Sequence, residues 1–116
     1  MKFLVLLASA DHFDSWDTLA DDDRERYFRD YRAFADAVRQ RGRLLVGDAL
    51  HRPGAARTVQ PGDGRTVTQG PYAETVEQLG GFYVIDVDDL ETAVEAARLL
   101  PREYTVEVRP TLGVEV

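Results

Sequence analysis

Residues 81–109 of the chain read GFYVIDVDDLETAVEAARLLPREYTVEVR. The first part of this segment, 81–87, alternates as a β-strand does, with Phe82 and Val84 on one side and Tyr83 and Ile85 on the other. Both sides are apolar, which is typical of a strand whose two faces are covered. The segment 81–87 is therefore predicted to be a buried strand.

A helix and a last strand complete this segment. Asp88 and Glu91 resemble an acidic capping box and predict the start of a helix, which Pro101 ends. Residues 104–109 alternate again and predict the last main strand. The residues that share one face of the predicted helix are Leu90, Ala93, Val94, Ala97 and Leu100.

The N-terminal part of the chain shows a strand and then a longer helix. Phe3–Leu7 is a continuous aliphatic run and predicts a strand covered on both faces. From about Asp21 to Arg41 the pattern is helical, with acidic residues at its amino end and basic residues at its carboxyl end, as the helix dipole favours. The polar segment 11–17 between them is predicted to be a loop. The apolar stripe of the helix consists of Tyr27, Tyr31, Phe34 and Val38.

The middle of the chain predicts a second strand and a hairpin. Arg43–Leu50 alternates and is predicted to place Leu44, Val46, Asp48 and Leu50 on one side. Arg57–Gln60 and Arg65–Gln69 are short β-prone runs joined by Pro61-Gly62-Asp63-Gly64, a turn-forming sequence. Tyr72–Leu79 is predicted to be a short linking segment with room for one helical turn.

The order of elements predicts the fold class. Strand, helix, strand, inserted β-hairpin, strand, helix and strand correspond to an α+β, ferredoxin-like βαββαβ sandwich. The length of 116 residues fits a single domain over residues 1–116. Such a sheet has helices on one face only, and its other face is apolar here. A second copy of the chain can cover that face with one self-complementary patch, so we expect a homodimer.

Composition excludes several functional classes. The chain contains no cysteine, which excludes thiolate chemistry, disulfides and sulfur-based metal sites. His12 and His51 are its only histidines, so a three-histidine metal site within one chain is excluded. The net charge of −7 argues against binding to nucleic acid phosphates. The run Asp21–Asp23 predicts a solvated helix start, because neighbouring helix positions diverge by about 100° and do not converge on one ion. No metal and no cofactor are therefore expected.

The N-terminal residues Met1–Ala10 have features of a secretory signal, with a positive start, an apolar run and an A-x-A ending. The run Phe3–Ala8 is shorter than the roughly 7–15 apolar residues usual for such a signal. No apolar run reaches the ~20 residues needed to cross a membrane as a helix. We therefore expect a buried first strand and a cytoplasmic protein without membrane contact.

Residues 70–83, GPYAETVEQLGGFY, resemble a known family motif. They are similar to the signature DGPFAETKEQLGGYY of the DGPF branch of the YCII-related family. The strand sequence Val46–Leu50 resembles that branch's V-x-G-E-x-L, and Val106–Pro110 resembles its closing VEVRP. The sequence Tyr31-Arg32-Ala33-Phe34 resembles its first helix. The resemblance covers nearly the whole chain.

The resemblance implies a ferredoxin-like protomer that forms a dimeric α+β barrel. In the namesake branch, a His on the first helix and an Asp are proposed as a general acid/base dyad, and some relatives are dehydrochlorinases. The DGPF branch is also associated with extracytoplasmic-function sigma factors, which implies a stress or signalling context. This chain departs from both patterns: Gln69 replaces the signature Asp, and Tyr31 stands where the namesake branch has its His. The dyad is therefore not transferred to this chain.

Several residues remain candidates for the site. Asp48 could orient His51 as a general base if the chain bends before Pro53; otherwise His51 is a surface residue and Asp48 bonds backbone. Glu74 is a candidate acid/base, with a structural role in bonding backbone amides as the favoured alternative. Tyr31 has a core position and a hydroxyl that needs a partner if buried. The predicted catalytic residues are His51, Asp48, Glu74 and Tyr31.

Further candidates concern ligand binding. Arg109 could bind an anion in bidentate fashion, or pair with Glu107 or Asp86. His12 follows the first strand in a polar segment and is expected to be solvated, although strand ends line the cavity in folds of this kind. Gly80-Gly81 is explained by backbone geometry or close packing rather than phosphate binding. The predicted ligand-binding residues are Arg109, Tyr72 and His12.

Three functions follow from these observations. The first is a dimeric barrel that binds an unidentified small molecule between the sheet and the hairpin, in a cavity at the dimer interface, with at most acid–base catalysis such as elimination, isomerisation or hydrolysis. The second is a non-catalytic regulatory or interaction module linked to a sigma factor. The third, a haem- or flavin-dependent monooxygenase, is disfavoured because no axial His is evident. A cavity of about 300 Å³ or more would favour the first over the second.

Overall fold

The computed structural model describes residues 1–73 and 77–114. Within them the chain forms a four-stranded sheet, a two-stranded hairpin, three helices and a short 3₁₀ turn at Pro53–Ala55. The strands are β1 (Lys2–Ala10), β2 (Gly42–Ala49), β3 (Arg57–Val59), β4 (Val67–Gln69), β5 (Glu77–Val87) and β6 (Thr105–Pro110). The helices are α1 (His12–Asp17), α2 (Asp21–Arg41) and α3 (Leu90–Ala97).

The main sheet has the strand order β2-β5-β1-β6, and every neighbouring pair is antiparallel. This order confirms the predicted α+β, ferredoxin-like architecture. Strands β3 and β4 pair in a separate sheet, with Thr58 opposite Thr68. The inserted hairpin is therefore confirmed as well.

The core lies between the sheet and the helices α2 and α3. Phe3 and Val5 of β1, Ile85 of β5, and Phe34 and Val38 of α2 are all fully buried, at 0% exposure. Helix α2 has the predicted bounds. Its apolar stripe, which contains Phe34 and Val38, packs on the apolar side of β1 and β5. Burial of this stripe, rather than intrinsic propensity, accounts for most of the stability of the helix.

The predicted loop at 11–17 is wrong, because this segment contains helix α1. Asp11 precedes the helix with φ 54°, a left-handed conformation that Asp tolerates better than most residues. The ring of Trp16 packs under the guanidinium of Arg24, 5.6 Å from the ring centre, and Arg24 donates a hydrogen bond of 2.8 Å to the Trp16 carbonyl. Contacts from a residue outside the helix thus help to hold a helix that is too short to form alone.

Two local predictions also need correction. The N-cap of α3 is Asp89 rather than Asp88, and its carboxylate accepts a hydrogen bond of 2.8 Å from the Thr92 amide. Leu79, predicted to lie in a linking segment, belongs to β5, as do its two preceding residues. Residues 74–76 of that segment lie outside the described part of the chain.

Two β-bulges adjust which side chains face the helices. In β2, Leu44 lies opposite Ile85 and Val46 opposite Val84, so Leu45 is an extra residue. The predicted alternation in β2 is therefore wrong: Leu44 faces the helices, whereas Val46 faces the other side of the sheet. The second bulge is in β5, where Gly80 is the extra residue between the pairs of β1 and β5 that contain Leu7 and Ala8.

The face of the main sheet that points away from the helices is apolar at its centre. Leu4 and Leu6 of β1 lie opposite Val84 and Phe82 of β5 on this face. Val46 extends the patch to β2 and is 47% exposed. We call the five residues Leu4, Leu6, Val46, Phe82 and Val84 the open face.

Candidate functional site

A cavity of about 500 Å³ lies between the sheet and the helices α1 and α2, at the ends of β1 and β2. Its volume is within the range of small-molecule sites, roughly 300–1,000 Å³. The cavity is on the helix side of the sheet, and no residue of β3 or β4 lines it. The lining residues are Leu7, His12, Phe13, Trp16, Phe28, Tyr31, Gly47, Asp48, Ala49, Leu50, Gly80, Gly81, Phe82, Tyr83 and Tyr104.

His12, the first residue of α1, forms part of the wall of this cavity. Its imidazole lies flat on the backbone of the bulge, because a Cβ added to Gly80 would lie 2.5 Å from the His12 Nε2 atom. The imidazole ring centre is 4.7 Å from that of Phe13 and 5.5 Å from that of Tyr104. Burial lowers the pKa of His12 below its ordinary value of 6.5. The imidazole is therefore held neutral at pH 7, with one nitrogen able to accept a proton.

Two tyrosines next to His12 share a hydrogen bond. The hydroxyl oxygens of Tyr31 and Tyr104 are 2.8 Å apart, and both side chains line the cavity. Burial raises the pKa of both hydroxyls, so both stay protonated at neutral pH. Two hydroxyls joined by one hydrogen bond use one of their two protons, and the second remains available to another acceptor.

Tyr83 forms the wall of the cavity on the side of β2. A Cβ added to Gly47 would lie 2.4 Å from the Tyr83 Cδ1 atom, so the ring lies directly over that glycine. The ring centre of Tyr83 is 4.7 Å from that of the fully buried Phe34. Burial raises the pKa of the Tyr83 hydroxyl. Glycine at 47 is thus required by the close approach of an aromatic ring.

Arginines support α1 from outside the cavity. Arg52, which follows β2, forms ion pairs with Asp14 and Asp17, and its guanidinium lies 5.6 Å from the ring centre of Phe13. Neither Arg52 nor Arg24 lines the cavity. Among the described residues that line the cavity, Asp48 carries a formal charge at neutral pH, but it lies opposite Phe82 and its exposed side chain is on the same side of the sheet as Val46.

The structure places the predicted catalytic residues in different surroundings. Tyr31 and Asp48 both line the cavity, and the Asp48 Oδ1 atom accepts a hydrogen bond of 2.8 Å from the Ala49 amide. His51 is exposed and does not line the cavity, and no hydrogen bond joins it to Asp48 in the described part of the chain. Glu74 lies outside the described residues.

The predicted ligand-binding residues are also dispersed. His12 lines the cavity, whereas Tyr72 is 91% exposed. Arg109 lies opposite Leu4, on the side of the sheet away from the helices, and forms an ion pair with Glu107. Of the two alternatives for Arg109, the structure therefore contains the pair on the sheet.

Comparison with known sequences identifies the family. The sequence model of the YCII-related domain matches residues 1–110. The chain belongs to the YCII-related family. An uncharacterised protein of Rhizobium meliloti strain 1021 is 40% identical over 91 residues, which are 74% of this chain and 73% of the relative.

Within residues 1–73 and 77–114, no helix is both long and apolar enough to cross a membrane. In the same residues, no three histidine, aspartate or glutamate side chains come close enough together to hold a metal ion.

Three aromatic residues that line the cavity of this YCII-related protein were not among the site residues predicted from sequence. They are Trp16, Phe28 and Tyr104. The spacing of Phe13 and Trp16, three residues apart after an Asp, is a helix signal that could have placed α1 and therefore His12.

Proposed function

We propose that this YCII-related protein binds a small molecule in the cavity between the sheet and α1/α2, and transfers a proton there with His12 as the base. The observation that carries this proposal is the half-buried, neutral imidazole of His12 in the wall of a cavity large enough for a ligand. A base with a pKa near or below neutral is unprotonated at physiological pH and returns its proton readily. His12 thus replaces His51 as the proposed base.

The neighbouring side chains have complementary roles in this proposal. Tyr31 and Tyr104 offer one hydroxyl proton to an oxygen of the ligand, where it stabilises negative charge that develops during proton transfer. Gly80 allows the imidazole to lie against the sheet, which fixes its position relative to Tyr104.

We further propose that residues 1–116 are a single domain that forms a homodimer through the open face. Five apolar residues from three neighbouring strands make a continuous patch there. A symmetric pair of such patches is self-complementary, so a second copy removes both from water. The cavity opens on the helix side, so each protomer would keep its own site in such a dimer.

The first experiment measures the protonation of His12. We expect NMR titration to place the pKa of His12 below 6.5, and a His51→Gln variant serves to assign the two imidazole signals. A small-fragment screen by NMR should then give ligands that shift the signals of His12 and Tyr104. A His12 pKa at or above 6.5, or the absence of any ligand at the cavity, would refute the proposal.

The second experiment tests catalysis. In D₂O, the protein should accelerate hydrogen–deuterium exchange at acidic C–H groups of bound fragments, and the rate should rise with pH through the pKa of His12. His12→Gln should remove this exchange, whereas His51→Gln should retain it. Loss of exchange in His51→Gln alone would favour the base predicted from sequence. Binding without exchange in any fragment would favour a regulatory ligand-binding module over an enzyme.

A further inference from the structure

We propose that the substrate is a neutral, planar carbonyl compound, whose oxygen accepts a hydrogen bond from the Tyr31–Tyr104 pair and whose adjacent C–H bond faces His12. This inference rests on the proposed function and adds the chemical class of the ligand.

The cavity disfavours anions. Among the described residues that line it there is no lysine or arginine, and the two arginines beside α1 have partners elsewhere. Arg52 pairs with Asp14 and Asp17, and Arg24 donates to the Trp16 carbonyl. A carboxylate or phosphate group that enters the site would lose its hydration without a cation to pair with.

The cavity also disfavours cations. The imidazole of His12 already loses its proton more readily here than in water, because burial penalises its charged form. Aromatic faces could bind an organic cation, but Trp16 and Phe13 each have a guanidinium 5.6 Å from the ring centre. A second positive charge near these rings would be repelled. A neutral ligand avoids both penalties.

Hydrogen-bonding capacity points to a ligand with an acceptor oxygen. The pair Tyr31–Tyr104 has one proton that is not used within the pair, as its hydroxyl oxygens are 2.8 Å apart. A ligand oxygen that accepts this proton gains a hydrogen bond inside the cavity. Neutral His12 can accept a proton. One carbonyl compound can therefore contact both groups at once, with its oxygen at the tyrosine pair and its adjacent C–H bond at His12.

The shape of the wall favours a planar body. Consecutive ring centres from His12 to Tyr104, Tyr31, Phe28 and Trp16 are 5.5, 6.4, 6.2 and 5.8 Å apart. These five rings form a continuous aromatic wall of the cavity. Planar apolar groups make offset or edge-on contacts with such rings. Two small residues, Ala49 and Gly81, also line the cavity and leave room for a flat ligand.

The reaction class follows from these contacts. A nitrogen of His12 takes the proton from the carbon next to the carbonyl, and the C–H electron pair forms a carbon–carbon double bond. The carbonyl electrons move to the oxygen, where the tyrosine hydroxyl stabilises the negative charge. The imidazolium then returns the proton to the same carbon or to a conjugated one, which gives exchange or isomerisation. No oxidant, reductant or second substrate is needed.

Four probes with one phenyl ring test the ligand class: acetophenone, ethylbenzene, benzoate and benzylammonium. Their dissociation constants for the full chain are measured by NMR at one pH. We expect acetophenone to bind about fivefold more tightly than ethylbenzene, as one net neutral hydrogen bond provides. The two ions should bind more weakly than ethylbenzene. If neither neutral probe shifts the signals of His12, the proposed function fails.

The outcomes separate the two proposals. If ethylbenzene binds as tightly as acetophenone, or if either ion binds best, the cavity is a ligand site but the carbonyl inference is overturned. In the double variant Tyr31→Phe, Tyr104→Phe, the preference for acetophenone should disappear while ethylbenzene binds as before. A second measurement does not depend on folding of that variant: the carbonyl stretching band of acetophenone bound to the unmodified protein should move to lower frequency. An unmoved band would also overturn the inference.

Discussion

The substitution Gly80→Ala provides a direct test of the packing that positions His12. The added Cβ would lie 2.5 Å from the Nε2 atom of His12, whereas favourable contacts lie at about 3.5–4.0 Å. The imidazole must therefore retreat by roughly 1 Å from the sheet. Overpacking of this kind costs about 1–3 kcal/mol. The loss of glycine entropy in the unfolded chain offsets about 0.4–1 kcal/mol of that cost.

We expect a net loss of about 1 kcal/mol in the free energy of unfolding, which lowers Tm by roughly 4 °C for a domain of this size. The displaced imidazole becomes more exposed, so its pKa should rise towards 6.5. Urea unfolding gives the first quantity and NMR titration the second. Gly54→Ala is the matched control, since a Cβ there meets nothing within 4 Å. If Gly80→Ala changes neither quantity relative to Gly54→Ala, the packing argument for His12 is wrong.

Three further predictions concern the cap, the pH dependence and the open face. Asp89→Ala should lower the free energy of unfolding by about 1 kcal/mol in urea unfolding, because the N-cap of α3 is lost. Asp88→Ala should leave it nearly unchanged. A larger loss in Asp88→Ala than in Asp89→Ala would contradict the assignment of Asp89 as the N-cap. The lowered pKa of His12 means that the unfolded chain binds more protons between that value and 6.5, so stability should rise with pH across this window. In His12→Phe, this increase of stability with pH should disappear. If the increase is unchanged, it comes from other groups. Val84→Lys should weaken the proposed dimer by ~3 kcal/mol, because an unpaired ammonium is buried, while Val67→Lys on the hairpin should not. Light scattering measures the mass, and a wild-type mass of 13.0 kDa at all concentrations would exclude the dimer.

The sequence predicts the large elements well because their signals are long. Helix α2 has 21 residues with an apolar stripe from Tyr27 to Val38, and runs of consecutive apolar residues mark β1 and β5. Helix α1 has six residues, and polar side chains dominate it. Arg24 and Arg52, which contact this helix, both lie outside it in the sequence, so its own composition does not reveal it.

The candidate site is harder to predict because it depends on register. Asp48 and His51 are near in sequence, which favoured their pairing, but the exposed His51 turns out to lie apart from the cavity. His12 and Tyr104 are distant in sequence, and pairing of β1 with β6 brings their ends together. Spatial proximity of this kind arises from strand order, which a local pattern does not contain.

The bulges of β2 and β5 have a consequence for insertions and deletions. Removal of Leu45 would turn the irregular ladder into a regular one and still leave Gly47 opposite Tyr83. Addition or loss of one residue between Gly47 and Ala49 would instead slide the strand end by one position beside Gly81. Loss of Leu45, before Val46, therefore leaves the cavity lining in place. A change of length after Val46 instead changes which residues of β2 line the cavity.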